Sequence, residues 1–348
     1  MTLAAEAARF PTSGSPIAAA DALSLLPPAV VEPLVGQAQL QAAMTLASTL
    51  PPIWRTCMLE VRLGGVSRQV DFMACVADVD RDRDAVAEAL PQLPPAHLGS
   101  AQALLRAWAI RNAPAASAVP IVWLEWDMPY AKPALPLFSA CLDVSLLDAG
   151  QAAPSRAVQA GIADWLLALV CDASTATRLG RGLATCLGAL PPDARLLHVA
   201  PLHARGLDRL RFTLGLLPAE LLTWLRVIEW PGDLTAVSAW VARLAPPWHR
   251  VFFQVEMDDR VHAHLSIETR VIATAAQAGD PWSVVLETFE HAGLVDPSLA
   301  IAVASWPGSS ELVWGGATAK LARSCYLKLV LNGGVASEVK AYLGMARQ

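Results

Sequence analysis

Tyr326-Leu327-Lys328-Leu329-Val330-Leu331-Asn332-Gly333-Gly334-Val335-Ala336-Ser337-Glu338-Val339-Lys340-Ala341-Tyr342-Leu343-Gly344-Met345 is the stretch that decides the fold. Asn332-Gly333-Gly334 tolerates the positive φ angles of a tight hairpin, and apolar residues alternate on both sides of it. Leu327, Leu329 and Leu331 share one face, with Tyr326 and Lys328 on the other. On the return strand Val339, Ala341 and Leu343 oppose Glu338, Lys340 and Tyr342. The chain has three tyrosines and four lysines; two of each lie here, all on the polar face.

The same pattern occurs four times upstream. Hairpins are expected at Thr56 to Val76, turning at Gly64-Gly65, and at Ile121 to Leu142, with a Pro-rich turn from Met128 to Pro133. Two more run from Leu197 to Leu216, turning near Arg205-Gly206, and from Val251 to Ile272, turning at Asp258-Asp259. Helical spacing fills the intervals: 17–26 and 35–50, 83–90 and 100–111, 155–169 and 173–187, 218–228 and 233–244, 281–291 and 297–306. Pro218 suits a first helical turn and Asp233 an N-cap, while Asp280 and Asp296 each precede a proline that opens a helix. The unit is two helices followed by one hairpin, and it occurs five times.

Strand by strand, one face is apolar and one polar. Leu59, Val61 and Leu63 oppose Glu60 and Arg62; Val122, Leu124 and Trp126 oppose Trp123, Glu125 and Asp127. Leu210, Phe212 and Leu214 oppose Arg209, Arg211 and Thr213. Val261, Ala263, Leu265, Ile267 and Val271 oppose His262, His264, Ser266, Glu268 and Arg270. An open sheet with one wet face has this alternation too. The large aromatics and mixed charges on the polar face favour closure instead. The expected fold is α/β (α+β): a ten-stranded antiparallel barrel wrapped by helices, one domain over 1–348 with a flexible arm at 1–16.

Composition supports a large core. Hydrophobic residues are 54% of the 348, charged residues only 16%, and the net charge is −5. No dense Lys/Arg run marks a nucleic-acid surface. The six cysteines are scattered, with neither a C-x-x-C pair nor zinc spacing, so they read as small core side chains in a reducing, cytoplasmic setting. The first residues lack the basic leader and apolar stretch of a signal peptide. Pro33 to Trp54, uncharged but holding three Gln and Pro51-Pro52, reads as helix rather than membrane span. No Walker, Rossmann, G-x-S-x-G or H-E-x-x-H motif is present; Gly180-Arg181-Gly182 and Gly64-Gly65 have the wrong context.

This element order resembles the PT-barrel of the ABBA aromatic prenyltransferases. Members of its indole branch alternate basic residues and tyrosine along strands. Glu338-Val339-Lys340-Ala341-Tyr342 is similar to such a run; Arg209-Leu210-Arg211-Phe212 is a looser match, and Tyr326-Leu327-Lys328 has the order reversed. The resemblance implies an alkyl-transferring enzyme of natural-product biosynthesis or peptide modification. It would move an isoprenoid from its diphosphate to an aromatic small molecule or peptide inside the lumen. Mg2+ is the one cofactor left open; no resident metal site, nucleic acid or membrane is expected.

Each chemical need has candidates. Arg209, Arg211, Arg270, Lys328 and Lys340, with His262 and His264, offer cations to the diphosphate, whose charge grows as its C–O bond breaks. Trp123, Tyr326 and Tyr342 offer aromatic faces to an allyl cation. Glu60, Glu125, Glu256 and Glu268 offer carboxylates to hold the acceptor and take its proton. Glu268 and Arg270 would equally make a lateral ion pair, and the two histidines an ordinary hydrogen-bonded pair. Trp108, Trp165, Trp224, Trp240 and Trp282 sit in helical patterns and read as core. Two other readings share this pattern: a non-prenylating enzyme on the same barrel, and a non-catalytic ligand-binding barrel.

Overall fold

The computed structural model describes residues 18–64, 69–78, 82–92, 98, 100–111, 113–128, 136–142, 154–244, 251–269, 281–314 and 317–347. The expected arm at 1–16, Arg270, Asp280 and most of the Pro-rich turn of the second hairpin lie outside these residues.

Eleven strands form one antiparallel sheet: β1 (Thr56–Arg62), β2 (Val70–Ala77), β3 (Ile121–Trp126), β4 (Leu137–Cys141), β5 (Arg195–Pro201), β6 (Leu210–Leu216), β7 (Val251–Met257), β8 (Val261–Thr269), β9 (Gly308–Trp314), β10 (Ala317–Asn332) and β11 (Val335–Arg347). Neighbours pair in chain order from β1 to β8; β10 then pairs with β8, and β11 pairs with both β10 and β1. Ten strands therefore close a barrel, as expected, and closure leaves the ring no free edge.

β9 is the exception. It lies outside the ring, paired to Ala317–Arg323 of β10. Farther along, Leu327–Asn332 of β10 changes neighbour and pairs with β8. Helical spacing extends to Trp306 and hairpin alternation starts at Tyr326, but the helix ends at Ala304, and β9 with the first half of β10 fills the gap. Arg323 fastens this flap: its Nε donates to the Trp306 carbonyl at 2.9 Å and its Nη1 to Ser310 Oγ at 2.7 Å.

The alternation has a direct structural meaning. Leu59, Val61, Leu63, Phe212, Leu214, Leu265, Ile267, Leu327, Leu329, Val339, Ala341 and Leu343 all face outward into one core shared with the helices. Trp108 and Trp224 are buried there, while Trp165 and Trp240 pack against its margin. Five cysteines are buried and Cys171 is half-buried.

Helix starts follow local chemistry. Asp172 caps 173–188 by accepting from the Ser174 and Thr175 amides, and Asp233 caps 234–244 through Thr235 and Ala236. Pro218 and Pro297 occupy first turns, where a missing N–H costs nothing. Gly182, in the middle of its helix, lets that helix touch the β7–β8 turn. A Cβ there would lie 2.3 Å from the Asp258 carbonyl oxygen. Two short helices, 28–31 and 114–118, were not expected from the sequence.

The last hairpin has the expected tight turn, a two-residue loop with Gly333 and Gly334 at φ of 63° and 98°. Its register shifts by one residue between Val330 and Leu331. Ser337 is the extra residue; its Oγ donates to the Val330 carbonyl at 3.2 Å and accepts from Asn332 Nδ2 at 3.0 Å. Past this bulge Lys328 lies opposite Lys340 and Tyr326 opposite Tyr342.

Candidate active site

The polar strand faces point into the barrel, and their side chains fall into three groups around the wall. The first belongs to β1, β10 and β11. Glu60 on β1 lies opposite Tyr342, and Lys340 opposite Arg62. Lys340 Nζ donates to Glu60 Oε1 at 2.6 Å, and the Tyr342 hydroxyl bonds the same carboxylate. Tyr342 stacks on Tyr326 with centroids 4.4 Å apart and planes within 3°. Lys328 Nζ sits 4.5 Å from the Tyr342 ring centroid.

Electrostatics in this group are strongly coupled. Glu60 is 1% exposed. Burial pushes its carboxyl up, but the ammonium groups of Lys340 and Lys328 outweigh burial and hold it well below the usual carboxylate range. Burial and the nearby Glu60 charge push the Tyr342 hydroxyl well above its ordinary value. Lys328, in contrast, is lowered to about 8, chiefly by burial.

Arg62 extends this group toward the hairpin ends. It bridges Asp71 at 3.1 Å and Glu338 at 2.9 Å. Asp71 also accepts from the Met128 amide at 3.0 Å; burial and the Glu60 charge raise its carboxyl.

The second group lies on β6, β7 and β8. Arg211 donates to Glu256 Oε1 from Nη2 at 2.8 Å, with Arg209 at 3.6 Å and His264 at 3.9 Å from the same carboxylate. Burial raises the Glu256 carboxyl, and Arg211, His264 and Arg209 together more than reverse it. His264 is lowered to about 4 by burial, with the Arg211, Lys328 and Lys340 charges adding to that. His262 stands apart at the turn, 2.9 Å from Asp258. The third group is Glu125 with Asp127, both held by Arg205; its Nε reaches Asp127 Oδ2 at 2.6 Å.

Glu268 joins the first two groups through Gln254. Gln254 Nε2 donates to Glu268 Oε1 at 3.0 Å, while its Oε1 accepts from Lys328 Nζ at 3.2 Å and Ser266 Oγ at 3.3 Å.

The four carboxylates named from the sequence therefore occupy separate surroundings. Trp123, Tyr326 and Tyr342 do come together, in a cluster with Met58, Met73, Cys75, Ile121 and Cys141 that is distinct from the outer core. Arg211, His264, Lys328 and Lys340 feel one another's charge, whereas Arg209 and His262 sit toward the strand ends. Arg62, Asp71, Arg205, Gln254 and Glu338 were not among the sequence candidates. Alternation had already put Arg62 and Glu338 on the right face, but Arg205 read as turn and Gln254 carried no charge to draw notice.

Among the described residues no three His, Cys, Asp or Glu side chains converge as metal ligands would. Glu60 and Glu256 face lysine or arginine instead and Glu268 faces an amide N–H, a donor set that does not fit a resident Mg2+. No helix of the described residues is long and apolar enough to cross a membrane.

No family model matches the chain, and no curated protein sequence does. Solved structures do. A 5-dimethylallyltryptophan synthase from Streptomyces coelicolor is 12% identical, with 95% of this chain and 97% of that one covered and a TM-score of 0.49. The prenyltransferase PriB in its apo form is 11% identical, with 94% of each chain covered and a TM-score of 0.50. At such identity the likeness is one of architecture: the chain has the PT-barrel fold, a closed ten-stranded antiparallel barrel with its helices outside.

Proposed function

We propose that the chain transfers an isoprenoid from its diphosphate to an aromatic or peptide acceptor held in the barrel. The observation that carries this reading is the position of Lys328 over the Tyr342 face, with Lys340 and Glu60 alongside. A ring face that already holds an ammonium is equally suited to an allyl cation, and such contacts are worth about 2 kcal/mol or more when dry.

Lys328, Lys340 and Arg211 would meet the diphosphate with charge and His264 as a neutral ring N–H donor, with Arg62 behind Lys340 and with Arg209 and His262 toward the rim. As the C–O bond breaks, the diphosphate leaves with the electron pair, and fixed cations stabilise that growing charge. Tyr342, Tyr326 and Trp123 keep water from the allyl cation. A ring carbon of the acceptor then forms the new C–C bond, and the proton displaced from that carbon goes to Glu60. A carboxylate held ionised is a weak base, but it is sufficient here because the proton of a cationic ring is strongly acidic. A lipid carrier would need an apolar lining, and buried charges are costly in one.

The test is a titration with dimethylallyl, geranyl and farnesyl diphosphates, with and without Mg2+, on wild type and Lys340→Ala. Saturable binding that Lys340→Ala weakens at least about tenfold, followed by product in an acceptor screen, supports the reading. Well-folded protein that binds none of the three overturns it.

A further inference from the structure

Lys328 and Glu268 lie directly opposite each other on β10 and β8. Opposite charges at such positions normally pair. Here they do not: Lys328 spends its hydrogen bond on Gln254 Oε1, and Glu268 accepts from Gln254 Nε2. Ser266, the residue opposite Gln254, donates to that same Oε1. The amide's orientation is fixed by its partners, with oxygen toward two donors and nitrogen toward a carboxylate. Among the described residues Lys340 has two carboxylates within 4 Å, at 2.6 and 3.6 Å, whereas Lys328 has a neutral amide and a ring face.

We infer that Gln254 is a positioning residue: a neutral spacer that keeps the Lys328 ammonium from pairing with Glu268, leaving it available to an incoming diphosphate. A lysine already paired must give up its counter-ion to bind phosphate; one held by an amide gives up only a hydrogen bond. The charged and titratable groups facing Lys328 are Glu60 from β1, Arg211 from β6, Glu268 and the neutral His264 from β8, and Lys340 from β11, with the Tyr342 ring beneath it. Its lowered proton affinity agrees with an ammonium that lacks a bonded counter-ion. The diphosphate rests on the function proposed above; the spacer itself can be tested without one.

The experiment follows Lys328 by NMR titration of 13C-lysine-labelled protein, assigned with Lys328→Arg, in wild type, Gln254→Glu and Gln254→Met. Circular dichroism serves as the fold control. The wild-type midpoint is expected near 8. Gln254→Glu supplies a counter-ion and raises the midpoint by about one unit or more; Gln254→Met removes the amide that separates Lys328 from Glu268 and raises it too, as the two charges pair. A purely structural glutamine would leave the midpoint unmoved in both. Dimethylallyl diphosphate affinity at neutral pH should fall at least about tenfold in Gln254→Glu. Midpoints that stay put in both folded variants overturn the spacer. If wild type binds no isoprenoid diphosphate, the functional reading falls while the NMR shifts still judge the spacer.

Discussion

Two parts of the lumen wall begin from the same ingredients and end differently. On β1 and β11 a buried carboxylate, Glu60, meets Lys340; on β6 and β7 another, Glu256, meets Arg211. Burial raises both carboxyls, and cations more than reverse it in both. The difference lies in what surrounds the pair. Glu256 is ringed by Arg211, Arg209 and His264, so its charge is taken up by two guanidinium groups. Glu60 borders the Tyr326–Tyr342 stack, where an aromatic face and an ammonium are already in contact. The same acid–base pair is thus a cation holder on one side and a place for an electrophile on the other, and its neighbours decide which.

Breaking that contrast should give the largest effect. Glu60→Gln is expected to lower prenyl transfer by about 10²- to 10⁴-fold with isoprenoid diphosphate binding retained, measured by single-turnover product formation. Glu256→Gln should leave turnover within about an order of magnitude and act mainly through KM, because it loosens Arg211 without touching the aromatic pair. Equal loss of turnover in both variants would end the distinction.

A structural change comes next. Gly182→Ala should destabilise the β6–β8 side by about 1–3 kcal/mol, seen as a lower Tm, since the helix must retreat from the Asp258 carbonyl. Lumen chemistry on the β1–β11 side should survive it.

The pH dependences are subtler. Glu60 and Glu256 have folded-state proton affinities below their unfolded values. At acidic pH the unfolded chain therefore binds more protons, so their stabilisation is present above the ordinary glutamate value of 4.5 and lost as pH falls below it. Glu256→Gln should flatten that acid limb in denaturant titrations. His264 acts at higher pH. It ionises near 6.5 unfolded and about 4 folded, so stability should fall as pH drops from 6.5 to 4. His264→Gln should remove that slope.

The outward half of the wall was legible in the sequence because period-two alternation and the helix shell make the same demand of every strand. Leu327, Leu329 and Leu331 had no other place to go. The inward half was legible as a set of residues and not as partnerships. Which carboxylate meets which cation depends on barrel closure, which puts Glu60 beside Lys340 across 280 residues of chain. Gln254 went unnoticed because an amide gains meaning only from what stands on either side of it. β9 was missed for another reason. Its Gly308-Ser309-Ser310-Glu311 opening has no apolar alternation, although Gly315-Gly316 ahead of Ala317 was the same kind of turn signal used elsewhere.

The bulge at Ser337 has a consequence for how this hairpin tolerates change in length. A strand's inside and outside follow the parity of its residue count from the turn, so a single added residue ordinarily turns a lining inside out. Counting from Gly333-Gly334 without the bulge would put Lys328 opposite Val339 and send Lys340 and Tyr342 outward into the helices. The bulge absorbs the odd residue, so the hairpin carries one residue more than its faces require. Deleting Ser337 should therefore leave the lysine and tyrosine pairs facing inward, and insertion of a second residue there should expel them.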